Sequence, residues 1–151
     1  MGNSTALARA VLGADTARHT DVKVIFSQKP KFASRLHFGR RIVESPDLCL
    51  NGKSAGKLFL TLGKRYLRIK DMQTLTNHHG KIIRINKYSS VTPDTPFFAR
   101  AGALPEVWSY GHRNPQGAVL APDGTLWMHE QGPEGGDEIN LPKPGATTAG
   151  R

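Results

Sequence analysis

Short apolar runs, broken every few residues by Gly, Pro or Asp, are what most constrains this chain. Leu58-Phe59-Leu60-Thr61-Leu62 closes at Gly63, and Ile82-Ile83-Arg84-Ile85 follows Gly80 and ends near Asn86. Val107-Trp108-Ser109-Tyr110, Ala118-Val119-Leu120 and Leu126-Trp127-Met128 are equally short. Val22, Val24 and Phe26 alternate with Lys23, Ile25 and Ser27. Helical periodicity is weak throughout, and short, regularly spaced runs between turn residues read as strands. With 16 Gly and 10 Pro among 151 residues, the spacing predicts an antiparallel all-β fold.

One pattern occurs twice. Ile42-Val43-Glu44-Ser45-Pro46-Asp47, then Gly56-Lys57-Leu58-Phe59, parallels Val119-Leu120-Ala121-Pro122-Asp123-Gly124-Thr125-Leu126-Trp127. Each copy is an apolar strand, a Pro-Asp turn and a second apolar strand, with Asp and Gly supplying side-chain capping and positive φ at the turn. Propeller blades are repeats of roughly 40–45 residues, so two or three would fit. Leu48–Ala55 reads as a surface loop inserted into the first copy, since lengthening a loop costs little.

Hydrophobic residues at 38% and charged residues at 22% describe a folded chain. The net charge of +9 raises nucleic acid as a partner, but the basic residues are scattered. Their densest group, Lys64, Arg65, Arg68 and Lys70, has only Tyr66 interleaved. A single cysteine, Cys49, excludes an internal disulfide and a cysteine-based metal cluster. No apolar run approaches the roughly 20 residues of a membrane span. Met1–Gly13 lacks a charged segment followed by a long apolar core, so no signal peptide is visible and the chain as written would stay cytoplasmic.

Polar chemistry concentrates in Tyr110-Gly111-His112-Arg113-Asn114-Pro115-Gln116-Gly117 and in Glu130-Gln131-Gly132-Pro133-Glu134-Gly135-Gly136-Asp137-Glu138. Arg113 and Asn114 could donate hydrogen bonds to carboxylates or a carbonyl, or could brace a loop. Gln131-Gly132-Pro133 could aim successive carbonyls at calcium, which takes oxygen ligands, or form a plain turn. Asp137-Glu138 could orient ligands or be solvated. His37, in Arg35-Leu36-His37-Phe38-Gly39-Arg40, could serve as a base near neutral pH or be structural. His78-His79 reads as structural, because neighbours on a strand face opposite ways.

Together these segments resemble the soluble pyrroloquinoline-quinone-dependent sugar dehydrogenases, the glucose/sorbosone dehydrogenase family, in particular their aldose sugar dehydrogenase branch. Asp21–Phe26, Leu36–Val43, Leu58–Gly63, Leu75–Asn86 and Pro93–Phe97 agree with it, from Ala6 to about Ala146. The resemblance implies a six-bladed β-propeller, of which residues 1–151 would form one partial domain of about two to three blades. It implies oxidation of an aldose at its anomeric hydroxyl by hydride transfer to pyrroloquinoline quinone, with Ca2+ as Lewis acid. His37 would be the general base, and Arg113 would stabilise charge on the quinone oxygen. Arg113, Asn114 and Gln131 would contact the quinone. The carbonyls of Gly132 and Pro133 would bind calcium, supported by Asp137. The family location would be periplasmic or secreted.

The resemblance departs at Lys64, where the family usually has Asp after Leu-Gly, and at Leu48–Ala55. It departs again at the end, where Pro-Gly-Ala-Asn-Tyr-Gly-Trp-Pro is usual and this chain reads Pro144-Gly145-Ala146-Thr147-Thr148-Ala149-Gly150-Arg151. Losing one A from GCG-AAC-TAC-GGC-TGG-CCG gives Ala-Thr-Thr-Ala-Gly-Arg, so a single-base frameshift is expected; a locus without an Asn-Tyr-Gly-Trp frame just downstream would refute it. Missing blades would leave apolar faces and strand edges open to self-association. Three functions therefore stand: a quinoprotein dehydrogenase impaired by truncation, a catalytically inactive propeller fragment, and a basic nucleic-acid-binding β-protein.

Overall fold

The computed structural model describes residues 1–14, 16–45 and 56–148. Among the described residues nine strands form three antiparallel sheets, and the one helical element is a 3-10 turn at Ile69–Gln73. β1 (Ala6–Leu12) and β2 (His19–Ser27) make a hairpin. β3 (Ile42–Ser45), β4 (Lys57–Leu62), β5 (Lys81–Asn86) and β6 (Val107–Tyr110) form a four-stranded meander. β7 (Pro115–Leu120), β8 (Leu126–Glu130) and β9 (Glu138–Asn140) form the third sheet. No helix among the described residues is long and apolar enough to cross a membrane.

The predicted runs at 22–27, 58–62, 82–85, 107–110, 118–120 and 126–128 all lie in strands. Two strands were not read beforehand: β1 mixes small alanines with Leu7, Val11 and Leu12 and shows no clear alternation, and β9 is only Glu-Ile-Asn. Both exist through pairing with a neighbour. The two repeat copies are hairpins in adjacent sheets, β3 against β4 and β7 against β8. In the second, Thr125 N–H donates to Asp123 Oδ1 at 2.9 Å and Gly124 takes φ 84°. The Pro46-Asp47 turn, the Leu48–Ala55 insertion, Cys49 and Ala149–Arg151 lie outside the described residues.

Period-two alternation gives the central sheet two apolar faces. Val43, Phe59, Ile82 and Trp108 meet Ala118, Leu126 and Met128 of the third sheet, with Trp108 edge-on to Phe59 at 5.0 Å. Leu60, Leu62, Ile83 and Ile85 point the other way and pack on Leu7 and Phe26 of the hairpin. Leu60 opposes Ile83 and Leu58 opposes Ile85 across the ladder, so a one-residue slip would exchange the faces. The alternation in β2 is a poorer guide: Phe26 is buried but Val22 and Val24 are 64% and 67% exposed. Register shifts at Leu7/Ala8 and Arg9/Val11 break the hairpin's pleat there.

The loops are tied down by buried polar groups. Lys81 Nζ is fully buried and donates to the carbonyls of His79, Asp71 and Met72 at 2.6, 2.8 and 3.1 Å. Burial pushes this lysine down to about 7, against the opposing pull of Asp71. His78 and His79 sit in the turn before β5 rather than on a strand. His78 accepts from Lys29 N–H at Nδ1 and faces Glu106 through Nε2 at 2.8 Å. His79 faces Asp71 at 2.6 Å and the Pro30 carbonyl at 3.1 Å. All four ring nitrogens are thus engaged with groups that join this turn to residues 29–30, 71 and 106.

Candidate functional site

Two loops and the end of one strand converge beside the central sheet. The first loop carries His37 with φ 55°, a left-handed conformation uncommon for a residue with a Cβ. Such a conformation persists only where the surroundings over-determine it. Here Arg65 N–H donates to the His37 carbonyl at 3.1 Å, and Tyr66 stands edge-on to the imidazole at 5.4 Å. Gly63 is required by close approach: a Cβ there would come within 2.3 Å of His37 O.

Arg65 and Tyr66 are also left-handed, each at φ 59°. Arg65 is fully buried, 3.9 Å over the Phe38 ring, and its Nη2 donates to Asn3 Oδ1 and to the Phe32 carbonyl at 3.1 Å. Lys64 is only 5% exposed. Half of the sequence's densest basic group is therefore interior, while Arg68 is intermediate and Lys70 exposed.

The second loop follows β6. Arg113 and Asn114 are held from behind by Glu130, whose Oε2 accepts their N–H groups at 2.7 and 3.3 Å. Glu130 Oε1 accepts from Asn140 Nδ2 at 3.0 Å and lies 3.7 Å from His112 Nδ1. Burial raises the Glu130 pKa, but His112 and the two backbone N–H groups outweigh it and hold the carboxyl below the usual range. His112 Nε2 lies 2.7 Å from Ser109 Oγ, and its Nδ1 lies 3.2 Å from Thr148 Oγ1. Ser109, His112 and Glu130 are buried together, and the sequence carries no sign of this chain of groups because Glu130 joins the other two from a different strand.

The predicted residues of the third segment meet the second loop. Arg113 Nη1 donates to the Gln131 carbonyl at 2.6 Å, and Asn114 Nδ2 donates to Gln131 Oε1 at 2.9 Å. Gly132 N–H donates to Asp137 Oδ1 at 3.0 Å, and Gly136 N–H to the Pro133 carbonyl at 2.9 Å. A Cβ on Gly132 would fall 1.7 Å from Gly136 O, so the turn closes too tightly for a side chain. Asp137 thus braces the turn that presents the Gly132 and Pro133 carbonyls. Among the described residues no group of three or more His, Cys, Asp or Glu side chains forms a metal cage.

The two halves are joined through Lys64, whose N–H donates to the Arg113 carbonyl at 2.9 Å. His37 feels the junction: burial first, then the charges of Arg113 and Lys64, push its pKa down to about 4. Its imidazole is neutral at pH 7. His37 Nδ1 is buried without a hydrogen-bond partner, and neither Arg113 nor Lys64 has a carboxylate partner among the described residues.

The sequence model of the glucose/sorbosone dehydrogenase family matches residues 1–147. The chain belongs to this family. The Escherichia coli K12 aldose sugar dehydrogenase YliI is 40% identical over 142 residues, which are 93% of this chain and 36% of that protein. A solved glucose dehydrogenase superposes with a TM-score of 0.87 at 41% identity, over 97% of this chain and 40% of that one. The PQQ-bound aldose sugar dehydrogenase of Streptomyces coelicolor gives 0.78 at 26% identity, over 95% and 39%. The chain thus spans just over a third of the length of the YliI protein. Within the glucose/sorbosone dehydrogenase fold its two-, four- and three-stranded sheets are part of a propeller.

Proposed function

We propose that this chain supplies one wall of the active site of a quinone-dependent aldose sugar dehydrogenase, with His37 as proton acceptor and Arg113, Asn114 and Gln131 facing pyrroloquinoline quinone. The observation that carries this reading is the buried, unpartnered Nδ1 of a neutral His37 beside two cations without carboxylate partners. Buried polar atoms are almost always satisfied, and buried charges are paired. Such a set fits an anionic, hydrogen-bonding ligand, and the quinone carries carboxylates and carbonyls.

The quinone, when bound, supplies the hydride acceptor. His37 holds a free lone pair at neutral pH and takes the proton of the anomeric hydroxyl. Arg113 offers a planar fork whose one side-chain bond among the described residues is to the Gln131 carbonyl, so further donors remain for an oxyanion. Asn114 and Gln131 fix each other's amides and so set which atoms face the ligand. Glu130 holds the backbone of both Arg113 and Asn114 still. The carbonyls of Gly132 and Pro133, stiffened by Asp137, would hold Ca2+, an ion that accepts several oxygen ligands and acts there as a Lewis acid.

Titration of the chain with quinone and calcium, followed by the quinone absorbance and by glucose-dependent reduction of an artificial acceptor, tests this. Saturable binding that Arg113→Ala weakens is expected, and His37→Ala should abolish turnover without abolishing binding. Absence of saturable quinone binding would sink the reading.

A second reading, a catalytically inactive fragment that associates with itself, is favoured by exposed apolar strand residues. Val119, Trp127 and Ile139 on the third sheet and Val22 and Val24 on the hairpin face solvent. Sedimentation velocity distinguishes it: a concentration-independent monomer counts against self-association.

A further inference from the structure

Lys64 enters the reading above only as one of the two cations beside His37, with no ligand group of its own. Its N–H is bonded to the Arg113 carbonyl, and its neighbour Arg65 is bonded to the His37 carbonyl, so the backbone ties Lys64 to both. The residue is 5% exposed. No carboxylate or hydrogen-bond acceptor among the described residues engages its ammonium group. A cation on a largely buried stem with no counter-charge beside it is poorly compensated, and an anion that meets it there gains more than at an open surface. Arg113, with its planar fork, is matched to a flat carboxylate of the cofactor; Lys64 is a compact point charge suited to a second anion.

Lysine has three donors and no acceptor. Its charge favours an anion, and it can accept nothing from a neutral sugar hydroxyl. We propose that Lys64 makes this site select an aldose bearing an acidic group, a carboxylate or a phosphate, over a neutral aldose. The inference rests on the aldose reading of the same site. The low pKa of the Lys64 ammonium, from burial and then the charge of Arg113, agrees with a cation awaiting a partner.

The probes are D-glucuronate, D-glucose 6-phosphate and D-glucose, titrated into the isotope-labelled chain while the His37 ring protons are followed by NMR. One acid or both should bind about ten- to a hundredfold more tightly than glucose, as a charge-assisted contact requires. Which acid binds identifies the group. Added NaCl should weaken the acid and leave glucose unaffected, which tests the charge in the unmutated protein. Lys64→Met should erase the preference, Lys64→Arg should keep it, and Lys64→Asp should reverse it.

Equal binding of acid and neutral sugar, or a preference that survives Lys64→Met in a folded variant, overturns the proposal. So does loss of quinone binding in Lys64→Met with no acid preference in the parent, because Lys64 would then belong to the cofactor. A chain that prefers the acid but binds no quinone would refute the dehydrogenase reading and leave the role of Lys64 standing.

Discussion

Glu130→Gln tests how the fold aims the site. In the parent, Oε2 takes the N–H groups of Arg113 and Asn114, and Oε1 takes Asn140 Nδ2. Glutamine fits the same volume but has one acceptor. Turned toward the backbone, its oxygen keeps both N–H groups as a neutral acceptor, about 1 kcal/mol weaker per bond than a carboxylate. Its NH2 then faces the donor of Asn140, and the third bond is lost for about another 1 kcal/mol. The expected loss of about 3 kcal/mol corresponds to roughly 6–12 °C in Tm for a chain of this size. Asn140→Ala removes only the third bond and should cost about 1 kcal/mol. Thermal melts give the totals, and amide hydrogen exchange locates them. Exchange at Arg113 and Asn114 should quicken in Glu130→Gln more than in Asn140→Ala. A Tm within about 2 °C of the parent with unchanged protection at both amides would show that Glu130 does not hold this loop.

His37 should titrate near pH 4 by ring-proton NMR, with Arg113→Ala raising the midpoint more than Lys64→Met and neither restoring it fully, because burial is the largest cause. With an unfolded value near 6.5, the unfolded chain binds more protons between about 4 and 6.5. Stability should therefore fall as pH drops through that window, less so in His37→Gln, and denaturant midpoints at several pH values give the slope. Gly132→Ala must displace the 132–137 turn, given the 1.7 Å approach to Gly136 O, and should weaken calcium affinity measured by calorimetry without lowering Tm by more than about 4 °C. Leu62→Ala empties a fully buried site between the central sheet and the hairpin and should cost about 2–5 kcal/mol in a melt; a loss under 1 kcal/mol would mean the hairpin does not pack there.

Strands β4 to β8 were legible in the amino-acid sequence, because short apolar runs such as Leu58–Leu62 and Ile82–Ile85 stand between turn residues, as strands buried on both faces do. The sequence also determined the second repeat turn, since Asp123-Gly124 carries its own capping acceptor and its own positive φ. His37, Arg113, Asn114, Gln131 and Asp137 were nameable one at a time from local motif. Their mutual arrangement was not, because hydrogen bonds between Asn114 and Gln131, or from Arg113 to Glu130, join residues about a strand and a turn apart. β1 and β9 gave no clear strand pattern, and pairing with a neighbour made them strands. Lys64 and Arg65 read as surface charge, since lysine and arginine are nearly always exposed. Packing decided otherwise: Phe38 under the Arg65 guanidinium and Gly63 against His37 O draw both residues inward. Burial and the counter-charge that burial demands belong to the three-dimensional arrangement, which no local window of residues contains.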